Sequence, residues 1–238
     1  MSFMSLRNDG KVAIISMDNG KNAHNLDFSK QLLALLKQVE EDKGNKALIL
    51  ASSDEKSWSQ GIDVPWMMGN IQSGNHDDVK EFLHNMDAIY TTIMAFPMPV
   101  IAAINGHTFG NGSVLACACD FRFMRSDRGF FCFPEVDMSI PFIPGLLDVI
   151  LKVIPQYRFN EMLLSGRRLS GKELEEDKVV EQTFEGADAL LKGALVYAKT
   201  FTKSRGIFAE HKRRFNKPAI EGLATKNPPV IDAMKVLL

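Results

Sequence analysis

The sequence predicts an α/β fold, and three observations carry that prediction. Short apolar runs alternate with helical periods: a strand over 11–17 with a helix over 27–41, a strand over 47–51 with a helix over 79–95, and a strand over 100–104 with a helix over 112–119. Right-handed crossovers of this kind build a parallel sheet covered by helices. Two of the runs, ALILA at 47–51 and VIAAI at 100–104, are apolar throughout rather than alternating, which marks strands buried on both faces. The last third has few such runs and reads as helical, a shape suited to packing over a site or against another subunit.

The elements follow in order. Asn8-Asp9-Gly10 is a turn signal, so residues 5–7 are expected to pair with the strand at 11–17 as a hairpin. Asp27 precedes Phe28, Leu32, Leu33, Leu35, Leu36 and Val39, a helical period with a capping residue at its start, and Gly44-Asn45 ends it. Residues 52–70 read as a loop, and a polar stretch over 70–78 leads to the helix whose stripe is Phe82, Met86, Ile89, Ile93 and Met94. Phe96-Pro97-Met98-Pro99 stops that helix and opens the central strand. Beyond Asp120, strands are expected at 121–124 and 130–133, then helices at 146–154 and 157–165, and a Ser170-capped segment. A short extended piece at 179–184 and an amphipathic helix at 188–202 complete the pattern.

Composition bounds the function. The 238 residues, 45% of them hydrophobic, suffice for one large domain with a full core. A net charge of −1 from 28 basic and 29 acidic residues, with no Lys/Arg-rich tract, argues against a nucleic-acid partner. No apolar run approaches membrane-spanning length, and the first residues lack a signal-peptide pattern. Val236-Leu237-Leu238 is not a peroxisomal Ser-Lys-Leu tripeptide. The expectation is a soluble protein of a reducing, cytoplasmic compartment, without a membrane partner. Cys117, Cys119 and Cys132 lie in apolar surroundings without CxxC spacing and read as core residues.

The stretch with the most chemistry is PVIAAINGHTFGNGSVLACACD at 99–120. A buried strand, a turn with Gly106, Gly110 and Gly112, and a helix of small side chains aim backbone N–H groups at one point. The near-match to a dinucleotide fingerprint lacks its third glycine and its ribose-binding acid, and no Gly-Lys-Ser/Thr follows to make a phosphate loop. The five histidines show no paired ligand spacing, so no metal site is expected. His107 either lines the pocket or orients the turn. Glu135 follows the apolar run FFCFP and precedes Val136, Met138 and Ile140. Such surroundings disfavour the charged carboxylate and raise its pKa, which suits proton transfer, although a strand-end carboxylate capping a turn has the same local sequence. Asp63, Asp120 and Asp137 have roles as helix cap, helix terminator and turn residue.

Taken together these segments resemble the crotonase superfamily of enoyl-CoA hydratases and isomerases. Lys56-Ser57-Trp58-Ser59-Gln60-Gly61-Ile62-Asp63 is similar to the family's K-x-F-x-x-G-x-D loop. Ile101 through Gly112 and on to Cys119-Asp120 is similar to its A-A-x-N-G-x-x-x-G-G-G-x-x-L-x-x-x-C-D block. Phe133-Pro134-Glu135-Val136 and the run from Leu163 to Arg167 add agreement downstream. The resemblance implies a crotonase-like spiral of repeated β-β-α units over residues 1–185 and a helical C-terminal region over 186–238 acting as interface or lid. It implies an oxyanion hole from the N–H groups of Ile62 and Asn111, where Asn111 replaces a glycine and faces a positive φ that Asn tolerates better than most residues. Ala23, Gln60, Gly61 and Gly110 are implied contacts of the acyl-CoA substrate. No cofactor is implied beyond the CoA that the substrate carries. A homotrimer or hexamer is implied as the assembly.

One departure bears on the reaction. Hydratases of the family use two glutamates, and this chain has Val114 at the first place and Glu135 at the second. A single glutamate suits a 1,3-proton shift, which points to a Δ3,Δ2-enoyl-CoA isomerase of fatty-acid breakdown. The run from Asp120 to Gly129 is similar to that branch as well. Hydration, thioester hydrolysis, decarboxylation and a non-catalytic CoA-binding role are the alternatives. Trp58, Trp66, Met67 and Met68 either shape the acyl-tail pocket or form the core of their loop.

Overall fold

The computed structural model describes residues 3–236, and in it the chain winds through four similar units. The first holds β1 (Met4–Asp9), β2 (Val12–Met17), the short β3 (Ala23–His24) and α1 (Leu26–Glu41). The second holds β4 (Ala47–Ser52), β5 (Ser57–Ser59), β6 (Gly61–Ile62), α2 (Val64–Gln72) and α3 (His76–Ala95). The third is β7 (Val100–Ile104), β8 (His107–Phe109) and α4 (Asn111–Ala118). The fourth is β9 (Phe121–Arg125), β10 (Phe131–Cys132) and α5 (Pro144–Leu151). Then come α6 (Gln156–Ser165), α7 (Gly171–Glu176), β11 (Gln182–Phe184), α8 (Ala187–Ala198), α9 (Arg205–Phe215), α10 (Lys217–Lys226) and α11 (Pro228–Asp232).

In each unit a longer strand joins a six-stranded sheet, ordered β1-β2-β4-β7-β9-β11, and a short strand turns away from it. Three of the short strands form a second sheet in the order β10-β8-β5, and β3 pairs with β6. Both layers advance in step along the chain, so the path is a spiral of β-β-α units. The β1–β2 pair is antiparallel, turning at Gly10 with φ 62°, and the later pairings of the large sheet are parallel.

Alternation divides the large sheet's side chains between two cores. Ala13, Ile15, Leu48, Leu50, Val100, Ala102 and Ile104 face α1, α3, α4 and the main core. Val12, Ile14, Ala47, Ile49, Ile101 and Ala103 face the opposite way, where Leu190, Ala194 and Ala198 of α8 cover them. All five residues of β7 are buried, as its unbroken apolar run predicts.

Several boundaries differ from the sequence expectation. Asn25, not Asp27, caps α1: its side chain accepts from Phe28 N–H, and Asp27 falls in the first turn, where its charge favours the helix dipole. The expected loop at 52–70 holds β5, β6 and α2, elements too short to leave a period. Asp63 caps α2 by accepting from Trp66 N–H. The strand expected at 130–133 pairs only through Phe131–Cys132, and it joins the second sheet rather than the large one. The three cysteines are free and buried. Among the described residues no helix is long and apolar enough to cross a membrane.

The C-terminal helices are tied to the sheet by a buried ion pair. Lys212 of α9 is 6% exposed, and its Nζ donates to Asp120 Oδ2 at 2.6 Å and to Met98 O at 3.3 Å. The same Asp120 oxygen accepts from Val100 N–H at 2.8 Å, so one carboxylate joins α9 to the start of β7. Removing one partner strands the other charge in the interior. Lys212→Ala is therefore expected to lower unfolding stability by about 3 kcal/mol in urea titration; an unchanged midpoint would show the tie to be dispensable.

Candidate active site

A cavity of about 140 Å³ opens beside β6 and the start of α4. Of the residues singled out in the sequence, Gln60, Ile62, Gly110, Asn111 and Glu135 border it. Ala23 and Gly61 do not border it; they pair with each other across β3 and β6, one step behind Ile62. Val114 and Met67 are on the wall, whereas Trp58 is fully buried core and Trp66 packs edge-on against Phe82. Met68 and His107 lie away from the cavity, and the His107 ring packs between Phe109 and Phe130.

The local backbone explains why N–H groups gather here. A Cβ built on Gly61, at φ 79°, would lie 2.6 Å from Phe109 O and 3.1 Å from Asn111 N. Glycine at 61 is thus what lets β6 meet the start of α4. Asp63 N–H donates to His24 O of β3, and neighbouring N–H groups of a strand alternate in direction, so Ile62 N–H points away from β3. In α4 the first bond along the helix runs from Val114 N–H to Gly110 O, which leaves the N–H groups of residues 111–113 without a helical partner. The positive φ expected at Asn111 falls instead on Gly110, at 51°. Asn111 is the first helical residue and needs no left-handed conformation.

Glu135 completes this wall. A Cβ on Gly110 would sit 3.0 Å from Glu135 Oε1, so the carboxylate packs directly against the glycine turn. Its Oε2 is buried without a hydrogen-bond partner. Burial pushes the Glu135 pKa up to about 7, the range in which one group can both take and return a proton near neutral pH.

Sequence reasoning missed two polar residues of the cavity lining, Asp87 and Tyr90 of α3. Asp87 accepts from Asn227 Nδ2 through both oxygens, at 2.8 and 3.0 Å, and burial pushes its pKa up to about 7. Asn227 in turn accepts from Gly145 N–H at 2.7 Å, so this carboxylate also joins α3 to α5 and to the α10–α11 junction. Tyr90 Oη donates to Asn111 Oδ1 at 2.5 Å. The available signal was their place on the apolar face of α3: Leu83, Met86, Asp87 and Tyr90 share it at helical spacing.

The sequence pattern of the enoyl-CoA hydratase/isomerase family matches residues 7–228. The chain belongs to the enoyl-CoA hydratase/isomerase family. It is 31% identical to enoyl-CoA delta isomerase 3 of Arabidopsis thaliana over 177 residues, covering 71% of each chain. It is 30% identical to the mitochondrial Δ(3,5)-Δ(2,4)-dienoyl-CoA isomerase of Mus musculus over 186 residues, covering 75% of this chain and 56% of that protein. Among solved structures, a probable enoyl-CoA hydratase of Mycobacterium tuberculosis superposes with a TM-score of 0.89 at 18% identity, covering 98% of this chain and 97% of that one. An enoyl-CoA hydratase of Bacillus halodurans gives 0.87 at 20% identity, covering 97% and 93%. The α/β spiral with its helical C-terminal part is therefore the crotonase fold of this family.

In this family member the buried Glu135 also sets a pH dependence of stability. Its pKa is higher folded than unfolded, so folding favours the protonated form, and stability falls as pH rises from about 4.5 to about 7. Glu135→Gln removes that cost. The variant is expected to gain on the order of 1–3 kcal/mol at pH 8 and nothing near pH 4.5, read from urea unfolding at the two pH values. Equal midpoints at pH 8 would show that Glu135 is well solvated.

Proposed function

We propose that the protein moves the double bond of a 3-enoyl-CoA to the 2-trans position, with Glu135 as the single proton carrier. The observation that carries this reading is Glu135, its Oε2 buried without a partner, in the lining of a cavity where α4 offers Val114 instead of a second acid. The ionised carboxylate takes a proton from C2, next to the thioester. The electron pair moves into the carbonyl, giving a dienolate spread over O, C2 and C4. The protonated Glu135 returns the proton at C4, leaving the double bond between C2 and C3. No redox equivalent is consumed, and CoA takes part only as the substrate's carrier.

The dienolate oxygen needs donors fixed in place before charge develops. The N–H groups of Ile62 and Asn111 are the proposed pair, and each such donor is worth roughly 3–4 kcal/mol of barrier. Ala23, Gln60, Gly61 and Gly110 would hold the CoA arm and the thioester beside them. The names of the isomerases in Arabidopsis and mouse support the reaction class. Assembly as a homotrimer or hexamer belongs to the same reading, and Val196, Ile207 and Phe215 expose apolar surface on α8 and α9 for it.

Asp87 favours a second reading. In a 3,5-dienoyl-CoA the acceptor carbon is C6, too far from C2 for one carboxylate to serve both. A second, partly buried carboxyl in the same cavity lining could deliver a proton there, giving the conjugated 2,4-dienoyl product.

Ultraviolet spectra separate these readings, since each product is newly conjugated. Conversion of 3-hexenoyl-CoA should fall at least about 10³-fold in Glu135→Gln, and kcat/KM of the parent should rise with pH to a plateau above about 7, as the base must be ionised. Full activity in Glu135→Gln would remove it from the chemistry. Asp87→Asn should spare the 3-enoyl reaction under the single-carboxylate reading and abolish 3,5-dienoyl conversion under the second.

A further inference from the structure

Asn111 carries a side chain that an oxyanion hole built from main-chain donors does not use. That side chain is held at both ends. Tyr90 Oη donates to its Oδ1 at 2.5 Å, and its Nδ2 lies 3.0 Å from His24 Nδ1. On the far side of the imidazole, His24 Nε2 lies 2.8 Å from Ser59 Oγ. Ser59 Oγ donates to Asn22 O at 2.9 Å and accepts from Gly61 N–H at 3.1 Å. The chain of contacts thus runs from the cavity wall, through Asn111, to the strand that carries Ile62.

Proton counting gives the chain a single direction. Asn22 O can only accept, so the one Ser59 hydroxyl proton goes there and Ser59 must accept from the imidazole. His24 therefore carries its proton on Nε2 and leaves Nδ1 as an acceptor. That acceptor matches the amide donor of Asn111, whose oxygen is then free to take the Tyr90 proton. Each link pairs one donor with one acceptor, and an interior chain of this kind is rigid because any break strands a polar group. His24 is fully buried and stacked on Phe28 at 4.1 Å, and burial pushes its pKa down to about 3, so it stays neutral.

We propose that Tyr90, His24 and Ser59 are positioning residues that fix the two oxyanion donors relative to each other, with neutral His24 as the middle link. The inference rests on the oxyanion-hole reading above. It gives Asn111 a reason to stand where a glycine would serve as a donor equally well: the side chain connects α4 to β6 through polar contacts as well as through the close approach at Gly61. Such a link would act on the transition state more than on substrate binding, because the enolate oxygen depends on donor geometry more steeply than the neutral carbonyl does.

His24 borders no part of the cavity, so replacing it reaches the reaction only through Asn111 and Ser59. We expect His24→Leu to lower kcat on 3-hexenoyl-CoA by about 10- to 100-fold, short of the loss from deleting a donor, with KM changed less than about threefold. His24→Gln, which keeps one acceptor and one donor, should recover most of kcat. In an Asn111→Gly background there is no side chain to hold, and His24→Leu should cost less than about threefold. Where His24→Leu fails to fold, His24→Phe, which keeps an aromatic ring against Phe28, replaces it in the same comparison. Nitrogen NMR of the parent should show a neutral, Nε2-protonated His24 at pH 5. A parent-like kcat in His24→Leu, an equal loss in both backgrounds, or an Nδ1-protonated or charged ring would overturn the inference. An inactive parent overturns the isomerase reading instead, and the NMR result then still decides whether the chain exists.

Discussion

The site depends on two stretches of main chain that come closer than side chains permit. A Cβ at Gly61 would meet Phe109 O at 2.6 Å, and one at Gly112 would meet Ser59 Oγ at 2.7 Å, so the β5–β6 stretch and the β8–α4 turn leave no room for a side chain at either glycine. Main chain against main chain leaves N–H groups as the only chemistry available at that seam. It also explains the composition of α4. All of its residues are buried, and a helix sunk into the core beneath a strand is built from small side chains such as Gly112, Ser113, Ala116 and Ala118. The spiral topology delivers the pair, because β5–β6 and β8–α4 are successive turns of the same winding and meet in the second layer.

The carboxylates answer to a different constraint. Burying Glu135 with its Oε2 unpartnered and Asp87 against an amide costs stability, since desolvation disfavours each charged form. Elsewhere the chain pairs its buried charges. Lys212 meets Asp120, and the Arg122 guanidinium donates to the carbonyls of Ala116, Cys119, Asp120 and Val179, closing the end of α4. Against that habit, two carboxyl groups held above their ordinary pKa in the lining of one cavity stand out. Unpaired buried acids gather where reactivity rather than stability is being maintained.

What could be read from the sequence follows from how local each feature is. The Gly106–Gly112 turn, the β7 run and the FFCFP segment before Glu135 are local patterns with one strong physical meaning each, and all three ended at the cavity or directly behind it. The short strands β3, β5 and β6 were invisible because two or three residues show no period. Asn25 displaced Asp27 as a cap because both residue types cap well and only the backbone angle at 25 decides. Asp87 was hidden by its neighbours: on a helix stripe dominated by Leu83, Met86 and Tyr90, one acid reads as a solvated edge until α5 and Asn227 close over it. The Asn111 substitution looked like a backbone problem in sequence. It is a side-chain solution in space, since Gly110 carries the positive φ and frees Asn111 to reach His24 and Tyr90.

Fold and reaction are separated in this molecule. Superposition at TM-scores of 0.87 and 0.89 on proteins called hydratases, at 20% and 18% identity, shows that the spiral persists while most side chains change. In this chain the backbone sets N–H groups beside a cavity, and under the proposed reading they hold an oxyanion whatever proton moves next. Under the proposed reading, the choice among addition of water, a 1,3 shift and a 1,5 shift is left to side chains that line the cavity. Among these are Val114, which cannot activate water, Glu135 beside the glycine turn, and Asp87 of α3. With an apolar residue on α4, two-base hydration would lack one of its groups, and the two isomerase readings differ in how far along the acyl chain the proton travels. That distance is fixed by whether one carboxyl acts or two, so Asp87, the residue the sequence did not single out, discriminates between the two isomerase readings.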